Sequence, residues 1–352
     1  MNLDDFSSFA ELDPSDLLSE INGFPERLAK TWELGRTLPL PKREGLKRVL
    51  IAGMGSMAVG ADLLAAYAAP TCQIPILVSR KYDLPAWARG PETLVIVLLH
   101  SGETEETLSV FDQAVTSGCR SLVICTGGKF ADTVSQTGVV VWPFDHPFPE
   151  NTAPGHFFRL LLIVFSRLGL IPDPTAEMAG AVAAMKAQQE SLRADVPVML
   201  NPAKRLAGQC MGRWVSVIGS DFLEPVARHW KNQVNRMAKA WAQCESLPEA
   251  DHNMLAGVVF PENVITNTFV LFLQGSANHP RNQLRVQMTK EFMMLEGVGT
   301  DFVFAAGDTP LAQIWTLLHF GEFFAYYLAM LYGIDPAAES LIDELEDRLK
   351  GT

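Results

Sequence analysis

Apolar residues in this chain cluster in short, unbroken runs, each followed by a stretch of helical spacing. Residues 48–52 (RVLIA) run into glycine and then into a helical pattern over 57–68. Residues 74–79 form the next run. Residues 93–99 (TLVIVLL) lead into SGETEETLSVFDQAV, whose apolar positions recur at helical intervals. Runs at 121–126 and 138–142 complete the series. Continuous Val/Ile/Leu runs, without polar alternation, predict parallel strands covered on both faces. Five of them alternating with helices predict a doubly wound sheet of flavodoxin type.

Helical spacing at 13–38 predicts an N-terminal helical arm. A helical section from 154 to 192 carries the domain boundary. The second half repeats the strand–helix logic more faintly: strand 214–219, helix 225–243, a strand within 264–274, helix 281–295, strand 301–305, then helices 309–332 and 337–349. The expected organisation is an arm over 1–40 and two α/β domains over 41–175 and 190–352. With 352 residues, two domains are the expected number.

Composition narrows the picture. Hydrophobic residues make up 48% and charged ones 19%, enough apolar material for two cores. The formal net charge of −12 argues against a broad nucleic-acid-binding face. Five scattered cysteines, with no CxxC pair, read as reduced thiols in a cytoplasmic protein and give no metal-ligand spacing. The acidic N-terminus lacks the basic region of a signal peptide. The most apolar stretch, 314–331, contains His319 and Glu322 and reads as a buried helix rather than a membrane span.

Two turns in the first half could hold an anion. Gly53-Met-Gly-Ser-Met-Ala-Val-Gly joins strand to helix, where free N–H groups and the helix dipole favour negative charge. It reads equally as a tight packing turn, and its spacing is wrong for a dinucleotide fingerprint. His100-Ser101-Gly102-Glu103-Thr104-Glu105-Glu106-Thr107 gathers hydroxyls at a strand-to-helix turn, as a phosphate monoester requires. An ordinary helix start capped by Ser101 accounts for the same residues. In the second half, residues 228–241 form a helix with one apolar face, followed by Pro248 to Asn253. His252 beside Asn253 suits proton transfer, although a lone histidine is also an ordinary structural residue.

These segments resemble the bifunctional phosphoglucose/phosphomannose isomerases of the sugar-isomerase (SIS) superfamily. GMGSMAVGADLL is similar to the family's GMGGSAIGGDLL, SGETEETL to the end of SYSGNTEETL, and 228–241 with 248–253 to RWKGQINENAK and LPELNHNEIVGW. CTGGKFAD (125–132) and PENTAPGHFF (149–158) match the loops that follow, and the likeness runs along essentially the whole chain. It implies two SIS domains, each a flavodoxin-like five-stranded parallel sheet with helices on both faces, in a homodimer. It implies a sugar phosphate held by Gly55, Ser56, Ser101, Gly102, Thr104 and Thr107, with no metal or organic cofactor and with neither nucleic acid nor membrane as partner. The implied reaction converts glucose 6-phosphate or mannose 6-phosphate to fructose 6-phosphate through a cis-enediol.

The departures fall on the chemistry. The family's first loop serine is Leu99 here and its asparagine is Glu103; Ser56 and Met57 replace a glycine and a serine. His252 matches the ring-opening histidine. The proton-transferring glutamate is Arg236, which stays protonated and is no base. The family's C-terminal lysine aligns with Glu346, so Arg236 and Glu346 are expected to form a charge-reversed pair. Glu245, Glu249 or Asp251 could substitute for the base if the loop brings one close, although the sequence does not place them there; Arg236 could instead stabilise an enediolate or bind a second anion. Arg281 and Arg285 match family arginines and read as cleft, dimer interface or solvated helix face. A catalytically silent sugar-phosphate binder, acting as a sensor or partner subunit, is the alternative function.

Overall fold

A computed structural model describes residues 2–35, 37–100, 104–127, 129–144 and 154–350. The elements in chain order are α1 (Phe9–Leu12), α2 (Leu17–Leu34), β1 (Arg48–Ala52), α3 (Gly55–Ala68), β2 (Ile76–Ser79), β3 (Thr93–Leu99), α4 (Glu105–Thr116), β4 (Arg120–Cys125), α5 (Lys129–Ser135) and β5 (Val140–Pro143). They continue with α6 (Pro154–Arg167), α7 (Thr175–Gln189), α8 (Pro202–Cys210), β6 (Trp214–Ser220), α9 (Glu224–Arg236), β7 (Ala242–Leu247), α10 (Glu262–Ile265), β8 (Thr268–Gln274), α11 (Pro280–Leu295), β9 (Gly299–Phe304), α12 (Pro310–Tyr332) and α13 (Ser340–Lys350). The chain divides into two compact units. One holds 25–183 with 309–315 and is called the N-terminal unit; the other holds 1–24, 184–308 and 316–352 and is called the C-terminal unit.

The N-terminal unit is built on a parallel sheet of order β2-β1-β3-β4-β5, the flavodoxin-like order that the apolar runs predict. All seven residues of β3 are buried, because a central parallel strand is covered on both faces. One side of its core gathers Leu50, Val95, Val97, Val110, Phe111 and Val123. Gly60 lets α3 and α6 touch: a Cβ there would stand 2.8 Å from Phe157 Cβ. The helical section expected over 154–192 is two helices, α6 and α7.

The C-terminal unit carries four parallel strands in the order β7-β6-β8-β9, not the five implied by the family resemblance. Its core includes Ile218, Val270, Phe272, Val286 and Met293. The helix expected over 225–243 is instead α9 followed by β7. Ala-Lys-Ala-Trp has helical propensity, but Lys239 takes φ 51° and turns the chain, its ammonium capping the Arg236 carbonyl. The Asn235 side chain then accepts from the backbone N–H of Ala242 at 2.9 Å, fixing the start of β7.

A separate arm over 1–40 is not what forms. Residues 1–24 pack into the C-terminal unit and the rest of α2 belongs to the N-terminal unit. Phe9 lies against the Tyr326 and Tyr327 rings, at 6.0 and 6.3 Å between centroids. Asp13 accepts from the N–H groups of Leu17 and Leu18 and from the Tyr326 hydroxyl. In α12 an 18-residue window is apolar enough to cross a membrane, but 94% of it is buried, as expected for a core helix. There His319 Nε2 donates to the Ile21 carbonyl at 2.8 Å, and Glu322 meets His229 Nε2 at 2.9 Å and Gln233 Nε2 at 2.7 Å.

Candidate functional site

In the N-terminal unit β1 and β3 are neighbours, yet their connections leave in opposite directions, through α3 to β2 and through α4 to β4. Their C-terminal ends therefore frame the crevice where ligands bind in open α/β sheets. The turn after β1 reaches α3 through Gly55, at φ 46°, a conformation that glycine adopts without strain. The residue before it, Met54, gives α3 no side-chain cap. Ser56 is buried in the first turn of α3. Met57 is buried in the core, so the extra bulk it brings is spent on packing.

The turn after β3 brings Thr104 and Thr107 to the start of α4. Thr104 is the N-cap of α4: its carbonyl accepts from the N–H groups of Thr107 (3.1 Å) and Leu108 (3.0 Å). Thr107 is fully buried, and its hydroxyl has no hydrogen-bond partner among the described residues. Ser101, Gly102 and Glu103 lie outside the described residues. Two side chains that the motifs did not single out adjoin these turns. Arg80, just past β2, donates to the Ala58 carbonyl at 3.2 Å and to the Asp62 carboxylate. The Tyr82 hydroxyl donates to Glu105 at 3.3 Å.

In the C-terminal unit Arg236 ends α9. Its Nε donates to Glu339 Oε1 at 2.6 Å and its Nη2 to Glu339 Oε2 at 2.5 Å, a two-pronged pair in which both side chains are only 16% exposed. The charge-reversed pair expected with Glu346 is replaced by this one. Glu346 stands exposed on α13, whereas Glu339 precedes that helix by one residue and meets the guanidinium fork face on. Lys239 completes the corner, donating to the carbonyls of Arg236 and, at 3.4 Å, of Pro336. Burial draws its ammonium below the ordinary lysine range, against the opposing pull of Glu339 and Asp335. The chain from Lys239 to Trp241 then walls a cleft of about 570 Å³ with Arg213, Trp214, Tyr332 and Ile334. Trp241 is 78% exposed there.

His252 lies past the other end of β7, in a 3-10 turn spanning Glu249–His252, and is exposed. Two of the carboxylates considered as replacement bases are already engaged. Asp251 accepts from Arg285 and from the Thr289 hydroxyl, each at 2.7 Å. Glu249 accepts from the Asn253 side chain at 3.2 Å. Arg285 thus braces the His252 turn, while Arg281 is exposed on α11. The six-residue β7 separates the Arg236 corner from His252 by about 20 Å, at roughly 3.3 Å per residue. The sequence conceals this separation, because segments 228–241 and 248–253 are close in the chain.

All five cysteines are free; Cys125 and Cys210 are buried, and Cys72, Cys119 and Cys244 are half-buried. Burial raises the thiols of Cys119, Cys125, Cys210 and Cys244, which disfavours the thiolate.

Residues 199–349 match the bacterial phospho-glucose isomerase C-terminal SIS domain. The chain is 31% identical over 95% of its length to the bifunctional phosphoglucose/phosphomannose isomerase of Caldicellulosiruptor bescii, covering 98% of that protein. It is 29% identical over 86% of its length to the enzyme of the same name from Aquifex aeolicus, covering 91% of it. Among solved structures, the fold is shared with a glucose-6-phosphate isomerase like protein from Thermus thermophilus, with a TM-score of 0.63 and 21% identity over 97% of this chain and 99% of that one. The C-terminal domain of glucosamine-fructose-6-phosphate aminotransferase from Francisella tularensis aligns with a TM-score of 0.73 and 12% identity, over 92% of this chain and 97% of that one. By sequence along nearly its whole length, and with two parallel-sheet units to match, the chain belongs to the bifunctional phosphoglucose/phosphomannose isomerase family.

Proposed function

We propose that this protein isomerises phosphorylated hexoses, interconverting glucose 6-phosphate or mannose 6-phosphate with fructose 6-phosphate. The observation that carries the reading is the end-to-end match to relatives bearing that name, 95% of this chain against 98% of the first relative. The turns of the N-terminal unit support it. Gly55 and Ser56 open α3, where N–H groups and the helix dipole suit a phosphate, and the buried Thr107 hydroxyl lacks a protein partner among the described residues. Ser101, Gly102 and Thr104 join them by motif.

His252 takes the ring-opening role, its exposure leaving the imidazole free to exchange a proton with O5 and O1. Arg236 supplies positive charge for an enediolate oxygen. Two observations support a homodimer. One chain holds Arg236 and His252 at opposite ends of β7, and a second copy would bring one of each to a shared sugar. Helix α11 also exposes a single apolar stripe, Leu284, Met288, Phe292 and Leu295, of the kind a partner copy covers. Free cysteines throughout suit the cytoplasm.

A coupled assay with fructose 6-phosphate, beside calorimetric titration of the same sugar, tests the reading. Turnover at an ordinary enzyme rate is expected. Binding without turnover would establish the silent sensor or partner subunit instead, and neither would refute a hexose-phosphate ligand.

A further inference from the structure

We infer that Glu339, a residue no motif singles out, is the carboxylate that moves the proton between C1 and C2. The inference rests on the proposed isomerase activity, and in particular on position 236 lying at the sugar. Counted along the side chain, the Nε of an arginine is the same link as a carboxylate oxygen of a glutamate: both follow Cβ, Cγ and Cδ. In this chain that link, Arg236 Nε, donates to Glu339 Oε1 at 2.6 Å. A carboxylate oxygen is therefore one hydrogen bond from where a glutamate at 236 would hold its own.

The other acidic candidates lie elsewhere. Glu346 is exposed on α13, Glu245 lies within β7, and Glu249 and Asp251 lie past its far end. Glu339 is mostly shielded yet reachable at 16% exposure, and each of its oxygens keeps a lone pair beyond the one that Arg236 engages.

The chemistry balances within the sugar. Glu339 removes the C2 proton of the open aldose while the C1 carbonyl becomes an enol oxygen that Arg236 stabilises. The same carboxylic acid returns the proton to C1, the O2 proton passes to O1, and C2 is left as the carbonyl. No oxidant or reductant is consumed. Arg236 and Glu339 together replace one glutamate: the arginine keeps the carboxylate charged and oriented, and the carboxylate performs the transfer.

The test uses the full-length protein with glucose 6-phosphate in D2O, reading deuterium at C2 by NMR together with kcat and KM in the coupled assay. Glu339→Gln keeps the shape and loses the base. It should lower kcat and the exchange rate about 10²–10⁴-fold while KM changes less than about threefold. Glu339→Ala should lose exchange and regain part of it on addition of formate, a rescue that loss of a purely structural ion pair would not show. Glu339→Asp covers the case in which the neutral variants fail to fold, and should retain measurable exchange. Wild-type kcat in Glu339→Gln, or in Glu339→Ala without formate, would overturn the assignment of the base and leave the isomerase reading intact. Absence of exchange, turnover and sugar binding in the wild type would overturn that reading, and this one with it.

Discussion

The sharpest stability prediction concerns Gly321, in the middle of α12. A Cβ built there would stand 2.4 Å from Trp230 Nε1 and 2.7 and 2.8 Å from two further indole atoms. The indole has little freedom to retreat. It is fully buried, stacked on Phe320 and Phe324 at centroid distances of 5.6 and 5.3 Å, and its N–H donates to the Leu317 carbonyl at 2.8 Å. Gly321→Ala therefore forces the ring aside. Overpacking costs about 1–3 kcal/mol, and an unpaired buried indole N–H and carbonyl about 1–3 kcal/mol more. Alanine returns about 1 kcal/mol of helix propensity. The net is a loss of about 3 kcal/mol, which lowers a urea midpoint by about 1–3 M at ordinary slopes. Urea unfolding followed by far-UV circular dichroism and tryptophan fluorescence reads it. The decisive control is the same substitution in a Trp230→Ala background. Alanine removes every ring atom that the new methyl would strike, so there Gly321→Ala should be neutral or stabilising by about 1 kcal/mol. An equal cost in both backgrounds, or a stabilising single substitution, would refute the steric account.

Three further outcomes are expected. Lys204 is buried and donates to the carbonyls of Leu3, Ala194 and Val196 at 2.6, 2.8 and 2.9 Å; Lys204→Met should cost about 2–5 kcal/mol, because each unpaired buried acceptor costs about 1–3 kcal/mol, and limited proteolysis should show the first residues released early. Thr107→Val removes a hydroxyl that no described residue satisfies, so thermal unfolding should move little, while calorimetric titration with fructose 6-phosphate should show affinity lower by roughly tenfold or more, the worth of a hydrogen bond to a charged group at about 1.5–3 kcal/mol. Asp221, at φ 54°, accepts from Asn278 Nδ2, the His279 N–H and Asn282 Nδ2 at 3.1, 2.9 and 2.8 Å. Asp221→Ala loses all three bonds and sits badly at positive φ, so the urea midpoint should fall by the equivalent of about 2–4 kcal/mol, with Asp221→Asn milder.

The apolar runs determined most of the N-terminal unit, because a parallel sheet covered on both faces writes its strands as unbroken Val/Ile/Leu segments. TLVIVLL is β3 residue for residue, and the remaining four strands fall within two residues of their runs. The turn motifs likewise fall at the ends of β1 and β3, with Gly55 and Ser56 opening α3 and Thr104 preceding α4. The strand β7, AQCESL, carries no such run; it lies at an edge of its sheet with four of six residues half-exposed, so its composition gives little signal. Only the folded chain decided where α9 stops, through a left-handed Lys239 and the Asn235 side chain. Only it decided that the first 24 residues belong with the C-terminal unit, since that depends on contacts between residues some 300 positions apart, such as Asp13 with Tyr326. The partner of Arg236 was beyond the sequence for the same reason. Alignment by motif pointed to Glu346, about two helical turns further on, but an ion pair is chosen by where the backbone places two charges, and the turn before α13 brings Glu339, not Glu346, to the guanidinium.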